Sequence, residues 1–441
     1  MPASTTKSLR VAVLADSDTR WKWGSLTANR ISPAESDIHL DGFLLRGRAT
    51  PTARQLEEVG VRADSLREVT AVEFLRVMER EPYDVLVLAL VGGAVQAILH
   101  GLGHAWGGRT KRPVVVTGYV GVVYEKLADG LLLRHGADLV LANSRQDADR
   151  FRAVYEGVGA DAGSVTEVAL PFLGGDAYEK RDPYTVVFAA QPSVPESRKD
   201  RTYLLDRLIQ HARRHPDREV LLKLRSKPGE HTTHIEELPY QRLAQKTDLP
   251  ANFSLVYGHM GEVLDRTDLL VTISSTAALE SLHRRVPTVV LTDLGVRESL
   301  GNHHFVGSGC LASWDQLDAG HQPSPDAAWV ARQGVAAGGS PSGGGSYETA
   351  FDVARFRITE LLEAPRLPPL APYYTPLTAP GYLPGILARH HLGPDGGPLP
   401  GAPAADKEAG PVRQIVRRAA RGAYRHGVQR VAPVIRRMGE L

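Results

Sequence analysis

Asp268-Leu269-Leu270-Val271-Thr272-Ile273-Ser274-Ser275-Thr276-Ala277-Ala278-Leu279-Glu280 decides the fold. An apolar run ends in three consecutive hydroxyl residues and passes straight into the helix formers Ala277, Ala278 and Leu279. A buried strand therefore feeds a helix through a Ser-Ser-Thr turn, the signature of a βα unit. Such a turn is a ready anion site, because the first helical N–H groups lack partners and carry partial positive charge. The alternative is a plain N-cap, for which Ser and Thr are favoured on stability grounds alone.

Working outward, Arg284-Arg285-Val286-Pro287 leads into an apolar run at 288–291. Upstream runs at 184–189, 219–224 and 254–257 are separated by helical stretches near 201–214 and 260–266. The same rhythm fills the N-terminal part, with runs at 10–15, 41–45, 84–90, 113–117, 137–142 and 166–170. Strands alternating with helices predict parallel sheets covered on both faces. At 441 residues the chain exceeds the roughly 250–300 at which one core stops growing, so two domains are expected. Pro171, Gly174-Gly175 and Asp182-Pro183 mark the hinge. The predicted organisation is an N-terminal Rossmann-like domain over 1–178 and a second Rossmann-like domain over 179–334. These are two doubly wound α/β domains whose strand ends face a central cleft.

The rest of the chain reads as appendages. Residues 335–346 form a Gly/Ser linker, and 347–392 a helix with a Pro- and aromatic-rich segment that packs back on the body. Residues 393–411 read as a disordered linker and 412–441 as a basic amphipathic tail. In that tail Arg413, Arg417, Arg418, Arg421, Arg425, Arg430, Arg436 and Arg437 face a single acid, Glu440. An anionic membrane surface is its expected partner. The net charge of +2 gives no global case for nucleic acid, and none is expected as a partner. The single cysteine, Cys310, excludes an intramolecular disulfide and fits a reducing compartment. The N-terminal apolar run is too short for a signal sequence. The apolar stretch 85–102 is broken by Gly92-Gly93, Gln96 and His100, so it reads as a strand running into a helix, with a membrane span as the alternative. A cytoplasmic protein, peripheral on the inner face of the plasma membrane, is expected.

The pattern of strand, Ser274-Ser275-Thr276, helix with Glu280 and Pro-led strand resembles the donor domain of GT-B glycosyltransferases. More narrowly it is similar to bacterial polysialyltransferases and capsule-type transferases, and to uncharacterised glycosyltransferase-like proteins of actinobacteria, over most of 8–310. The resemblance implies that Ser274, Ser275 and Thr276 contact the donor phosphate and that Glu280 holds a ribose hydroxyl. The sialyl-type families carry a His-Pro after an earlier donor-domain strand, where this chain reads Arg225-Ser226-Lys227-Pro228-Gly229-Glu230-His231; its own His215-Pro216 precedes that strand. A CMP-activated nonulosonic acid and a UDP- or GDP-hexose both stay open as donors.

Lys223, Arg225 and His231 emerge near one strand end, where cations could neutralise the leaving phosphate without a metal. Gln191 occupies the matching lip, and His259, between a strand and a helix, is a candidate nucleotide contact. On the acceptor side, Asp16-Ser17-Asp18-Thr19-Arg20-Trp21-Lys22-Trp23 follows the first strand. Asp16 or Asp18 is the candidate general base, and Arg20, Trp21 and Trp23 are candidate sugar contacts through ion pairing and ring stacking. Capping by the acids and core packing by the indoles is the competing reading. The adjacent His303-His304 alone make a poor metal site, and no metal or cofactor beyond the nucleotide-sugar co-substrate is expected. Gly101-Leu102-Gly103 lacks the third glycine of a dinucleotide fingerprint. The sequence thus predicts a glycosyltransferase acting on a cell-envelope glycan or lipid-linked acceptor. A nucleotide-sugar 2-epimerase and a non-catalytic glycan-binding protein are the alternatives.

Overall fold

The computed structural model describes residues 8–33, 36–47, 49–122, 126–227, 230, 236, 238–335 and 347–401. They divide into two compact units, one of 8–172 with 332–334 and 347–401, the other of 173–331 with 335.

The first unit holds strands β1 (Ser8–Ala15), β2 (Asp37–Leu45), β3 (Ser65–Val69), β4 (Val85–Ala89), β5 (Val114–Gly118), β6 (Leu139–Ala142) and β7 (Val165–Glu167). They form one parallel sheet in the order β3-β2-β1-β4-β5-β6-β7. Its central strands are Val/Leu runs buried along their whole length, as a sheet covered on both faces requires. The apolar run at 85–102 resolves into β4 and the helix Gly92–Ala105. No helix among the described residues is long and apolar enough to cross a membrane.

The second unit holds β8 (Thr185–Ala189), β9 (Glu219–Lys223), β10 (Phe253–Val256), β11 (Leu269–Thr272), β12 (Thr288–Leu291) and β13 (Leu311–Ala312). Their order is β10-β9-β8-β11-β12-β13, again all parallel. Both units are therefore doubly wound α/β domains, as the sequence predicts. Each reverses its strand order once, between β1 and β4 in the first and between β8 and β11 in the second. A crevice outside the carboxyl ends of such a strand pair is the usual ligand position in open α/β sheets.

One device recurs at the opposite, amino-terminal edge of the sheets. Asp64, Asp84, Asp138 and Asp268 precede strands and accept the backbone N–H of Leu40, Arg10, Val115 and Thr185, on the neighbouring strand in each case or directly beside it. These carboxylates satisfy backbone donors at the point where the ladder begins.

The chain beyond 346 returns to the first unit. Phe351, Ala354, Ile358 and Leu367 join the core on one face of its sheet. Leu383, Ile386, Leu387 and Leu392 join the core on the other. Residues 393–401, expected to begin a disordered linker, instead form turns against this unit: Gly393 N donates to Gly397 O at 2.7 Å, and Gly396, at φ +81, lies against the carbonyl of His100. Only glycine fits at 396, since a Cβ would stand 2.3 Å from that oxygen. The basic tail 412–441 lies outside the described residues.

Candidate functional site

In the second unit the Ser-Ser-Thr turn leaves β11 beside the loop that follows β8, at the reversal of strand order. Thr272 Oγ1 donates to the carbonyl of Ala189 at 2.9 Å, tying the two strand ends together. Beyond them, Gln191 Oε1 accepts from Ser274 N at 3.0 Å and Gln191 Nε2 donates to Ser274 Oγ at 3.1 Å. The Ser274 hydroxyl in turn donates to the carbonyl of Leu300 at 2.6 Å. Gln191 and Ser274 are thus brought together as braces of the loop. Ser274 is buried and its one proton is committed, so it corrects the expectation of a phosphate donor there.

Ser275 and Thr276 are half-buried and open the short helix Ala277–His283. Ser275 N donates to Thr272 Oγ1 at 3.2 Å, while Ser275 Oγ accepts from Ala277 N at 3.2 Å, a local turn of the kind that competes with and caps helices. Glu280 is buried on that helix, one turn after Thr276. Lys223 is also buried, its Nζ donating to the Leu224 carbonyl at 2.9 Å, which corrects its assignment to an open cationic strand end. Arg225 is half-buried one residue further on, and His231 lies outside the described residues.

His259 precedes the helix Met260–Leu264, which packs beside the Ala277–His283 helix on one face of the sheet through Val263, Leu264 and Ala277. Two adjacent helices therefore start at the carboxyl edge of the second sheet. Next to His259 the structure adds a residue that sequence reasoning missed. A Cβ on Gly261 would stand 2.9 Å from His259 Nδ1 and 3.1 Å from Arg284 Nη2, so ring and guanidinium converge over that glycine. Gly175, at φ +93, lies so close to the same guanidinium that a Cβ would stand 2.1 Å from Arg284 Nε. Arg284 is buried and faces Asp265 at 3.5 Å, whereas its neighbour Arg285 is exposed. Nothing in the paired arginines of the sequence distinguishes the two.

In the first unit, Ser17 caps the helix Asp18–Ile31, so the polar cluster at the end of β1 runs at once into a helix. Asp16 Oδ1 accepts from Arg20 Nη1 at 2.9 Å and Asp16 Oδ2 accepts from Val91 N at 3.0 Å. The carboxylate thereby spans the ends of β1 and β4, where the strand order reverses. Asp18 lies in the first helical turn, half-exposed, and accepts from Thr19 Oγ1 at 3.3 Å. Asp16, Asp18 and Arg20 are therefore together at this edge.

Trp21 and Trp23 are not surface groups. Both indoles are at most 1% exposed, which corrects their assignment as sugar platforms. Trp21 fills the space over Gly42 on β2, and Trp23 the space over Gly118 on β5 while donating Nε1–H to Asn143 Oδ1 at 3.3 Å. Beneath the same edge lies Arg134, also missed in the sequence. It is 5% exposed, stacked 4.0 Å from the Tyr119 ring, and donates to the carbonyls of Leu90, Gly118 and Gly130. Burial pulls its pKa down, with Arg20 acting in the same sense and Tyr119, Tyr155 and Asp16 opposing.

Among the described residues His211, His215 and Asp318 converge closely enough to suggest a metal. Asp318 is already bound by Arg207, Arg214 and His211, and Arg218 faces the other nitrogen of His211. Two guanidinium groups on one carboxylate, with a third against its histidine partner, make a poor cation site and a good structural clamp.

A family described as "Putative glycosyltransferase (DUF6716)" matches residues 11–342, most of the chain. The chain belongs to this family. No curated protein sequence matches it. Among solved structures it is similar to a protein described as a putative UDP-N-acetylglucosamine 2-epimerase from Listeria monocytogenes. That likeness has a TM-score of 0.50 and 13% identity, and covers 81% of this chain and 98% of the other. The glycosyltransferase of kitacinnamycin matches at TM-score 0.43 and 14% identity, over 81% and 96% of the two chains. Anabaena HepE, solved with UDP and glucose, matches at 0.45 and 13%, over 80% and 97%. At 13% identity the Listeria likeness is one of fold alone, two parallel-sheet α/β domains.

Proposed function

We propose that the protein is a nucleotide-sugar-dependent glycosyltransferase whose second unit binds the donor. The observation that carries this reading is the reversal point of the second sheet, where the loops after β8 and β11 are braced by Gln191 and Ser274. That bracing leaves Ser275 and Thr276 to open one helix at the strand ends, with His259 opening the helix beside it. Family membership supports glycosyl transfer as the chemistry. Ser275 and Thr276 are the phosphate contacts, with Arg225 and the His259–Arg284 pair as cationic neighbours. No His-Pro follows β9, so a UDP-hexose is favoured over a CMP-activated nonulosonic acid as donor. The acceptor is a cell-envelope glycan or a lipid-linked sugar, and residues 412–441 dock the enzyme on an anionic membrane.

Calorimetry against UDP, GDP and CMP tests the donor. Binding of UDP in preference to the others is expected; a chain that bound none of the three would not be a nucleotide-sugar enzyme. The Listeria likeness favours one second reading, a 2-epimerase. Incubation with UDP-N-acetylglucosamine alone separates the two, since an epimerase would form the C2 epimer with no acceptor present. Co-sedimentation with phosphatidylglycerol vesicles, compared with a chain ending at residue 410, tests the tail.

A further inference from the structure

From Leu367 to Ala388 the chain contains no charged residue, although Arg366 and Arg389 flank the stretch. Its two ends are buried: Leu367 joins the core on one face of the first sheet, and Leu383, Ile386 and Leu387 join the core on the other. Between them residues 376–378 and 380–382 are exposed. Leu377, at 89%, is the most exposed large apolar side chain among the described residues, and Tyr382 follows it at 42%. A single exposed leucine is ordinary. One at the apex of an uncharged, solvent-facing loop marks an interaction surface.

The polar groups of this loop are largely paired within it. Thr375 N donates to Thr378 Oγ1 at 2.9 Å and Thr378 N to Thr375 Oγ1 at 3.1 Å. Ala379 N donates to the Thr375 carbonyl, and Tyr382 N and Leu383 N to that of Ala379. Pro376 and Pro380 have no N–H to satisfy. Such internal pairing is what a backbone needs where it meets lipid in place of water. Behind the apex, the rings of Tyr373, Tyr374 and Tyr382 meet edge to face, each neighbour 5.3 Å from the next. The hydroxyls of Tyr374 and Tyr382 both donate to Asp129 at 3.1 Å. Gln96 Nε2 and His100 Nε2 meet the Tyr374 carbonyl at 3.1 and 2.9 Å, so the apex projects from a fixed base.

We propose that residues 375–382 form an interfacial loop that inserts Leu377 into the surface of a lipid bilayer, with the Tyr374 and Tyr382 rings at headgroup level. Tyrosine suits that level because its ring is apolar and its tip polar. A bilayer fits the loop better than a protein does, since the apex offers apolar atoms and few directional groups to fix a partner's register. Charge points the same way. Exposed Arg389 ends the uncharged stretch, and the eight arginines of 412–441 against one acid follow it along the chain. Ile386 lies against Gly93, in the first turn of the helix after β4, and Asp129 is in the first turn of the helix Leu127–Leu132 after β5. The loop therefore stands at the carboxyl edge of the first sheet, the edge that carries Asp16 and Arg20. Resting on the glycosyltransferase reading above, such docking brings a lipid-linked acceptor, and not a free glycan, to that edge.

The experiment uses the full chain and vesicles of phosphatidylglycerol mixed with phosphatidylcholine. Leu377→Cys is labelled with an environment-sensitive fluorophore, the native Cys310 being buried. Its emission should shift to the blue on vesicles and be quenched by lipids brominated in the acyl chain. Leu377→Asp should weaken co-sedimentation on the order of 10-fold, about the worth of one leucine side chain withdrawn from water. Its melting temperature and UDP affinity should stay those of the wild type, and Leu377→Phe should bind vesicles as the wild type does. A wild type that binds no vesicles overturns the proposal, as does a label that stays in water on the bound chain. Binding undiminished in Leu377→Asp overturns it too, leaving docking to residues 412–441 alone. A wild type that docks through Leu377 but binds none of UDP, GDP and CMP overturns the glycosyltransferase reading and leaves the docking loop standing.

Discussion

Ser274 and Ser275 are adjacent hydroxyls with different duties. Ser274→Ala removes a proton from the Leu300 carbonyl and an acceptor from Gln191, inside a buried loop. A loss of roughly 1–2 kcal/mol in stability is expected, read as a lower urea midpoint. Ser275→Ala removes only the hydrogen bond from Ala277 N, a loss of about 0.5–1 kcal/mol, and should weaken UDP binding in calorimetry. The Ser-Ser-Thr pattern marked the correct turn, but no spacing rule says which hydroxyl faces inward. Trp21 and Trp23 failed for a related reason. Two positions apart on a helix they point to different sides, yet each finds a glycine-made recess in the core, at Gly42 and Gly118. Glycines distant in sequence give no local signal of that fit. Asp147 carries a pH-dependent prediction. Burial raises its pKa to about 6, against the opposing pull of Arg150 and Ser144. A raised carboxyl means that the folded state holds the proton more tightly than the unfolded one. The stability it contributes is complete below the ordinary value near 4 and is lost as pH rises through about 6. Asp147→Asn should therefore stabilise the protein by roughly 2 kcal/mol at pH 8 and hardly at all at pH 4, a gap that melting temperatures at the two pH values would show.

At the scale of elements, strands were legible where both faces are buried and illegible at the edges. β4, β5 and β6 announce themselves as unbroken Val/Leu runs, whereas β3 is exposed at four of its five residues and β13 has only two. An edge strand needs no apolar run, so hydropathy does not find it. The aspartates that start strands were visible as residues but not as a device. Asp268 is the clearest case: it accepts from Tyr178 Oη, Arg181 N and Thr185 N at 3.0, 2.9 and 2.8 Å and is fully buried. Desolvation first, and then the hydrogen bond to Asp268, push the Tyr178 phenol well above its usual range. Asp268→Asn turns at least one accepting oxygen into a donor facing a donor. A loss of roughly 2–3 kcal/mol is expected, since hydrogen bonds to charged groups are the stronger kind. In denaturant titrations the transition of the second unit should move and that of the first should not.

For the whole molecule, the decisive fact is that the chain finishes its first unit only after its second is complete. Residues 332–334 already belong to the first unit, with Gln333 Nε2 donating to Gln146 Oε1 at 2.7 Å and Gly334, at φ +69, against Asn143 O. The segment after 346 then supplies Phe351, Ile358 and Leu367 to one face of the sheet and Leu383, Ile386, Leu387 and Leu392 to the other. Burying each such side chain stabilises by about 1.5–3 kcal/mol. Together they contribute on the order of 10 kcal/mol, comparable to the whole stability of a typical domain. A chain ending at residue 342, where the family match ends, should therefore lose the first unit's cooperative unfolding and bind a hydrophobic dye. The two described core clusters of the second unit run from Tyr184 to Leu317, all before that segment. A fragment of 173–335 should melt in one cooperative transition and keep the UDP affinity of the full chain. If instead the shortened chain melts like the full one, the returning segment is an ornament on a finished domain. Calorimetric scans of the three chains would reveal that outcome directly.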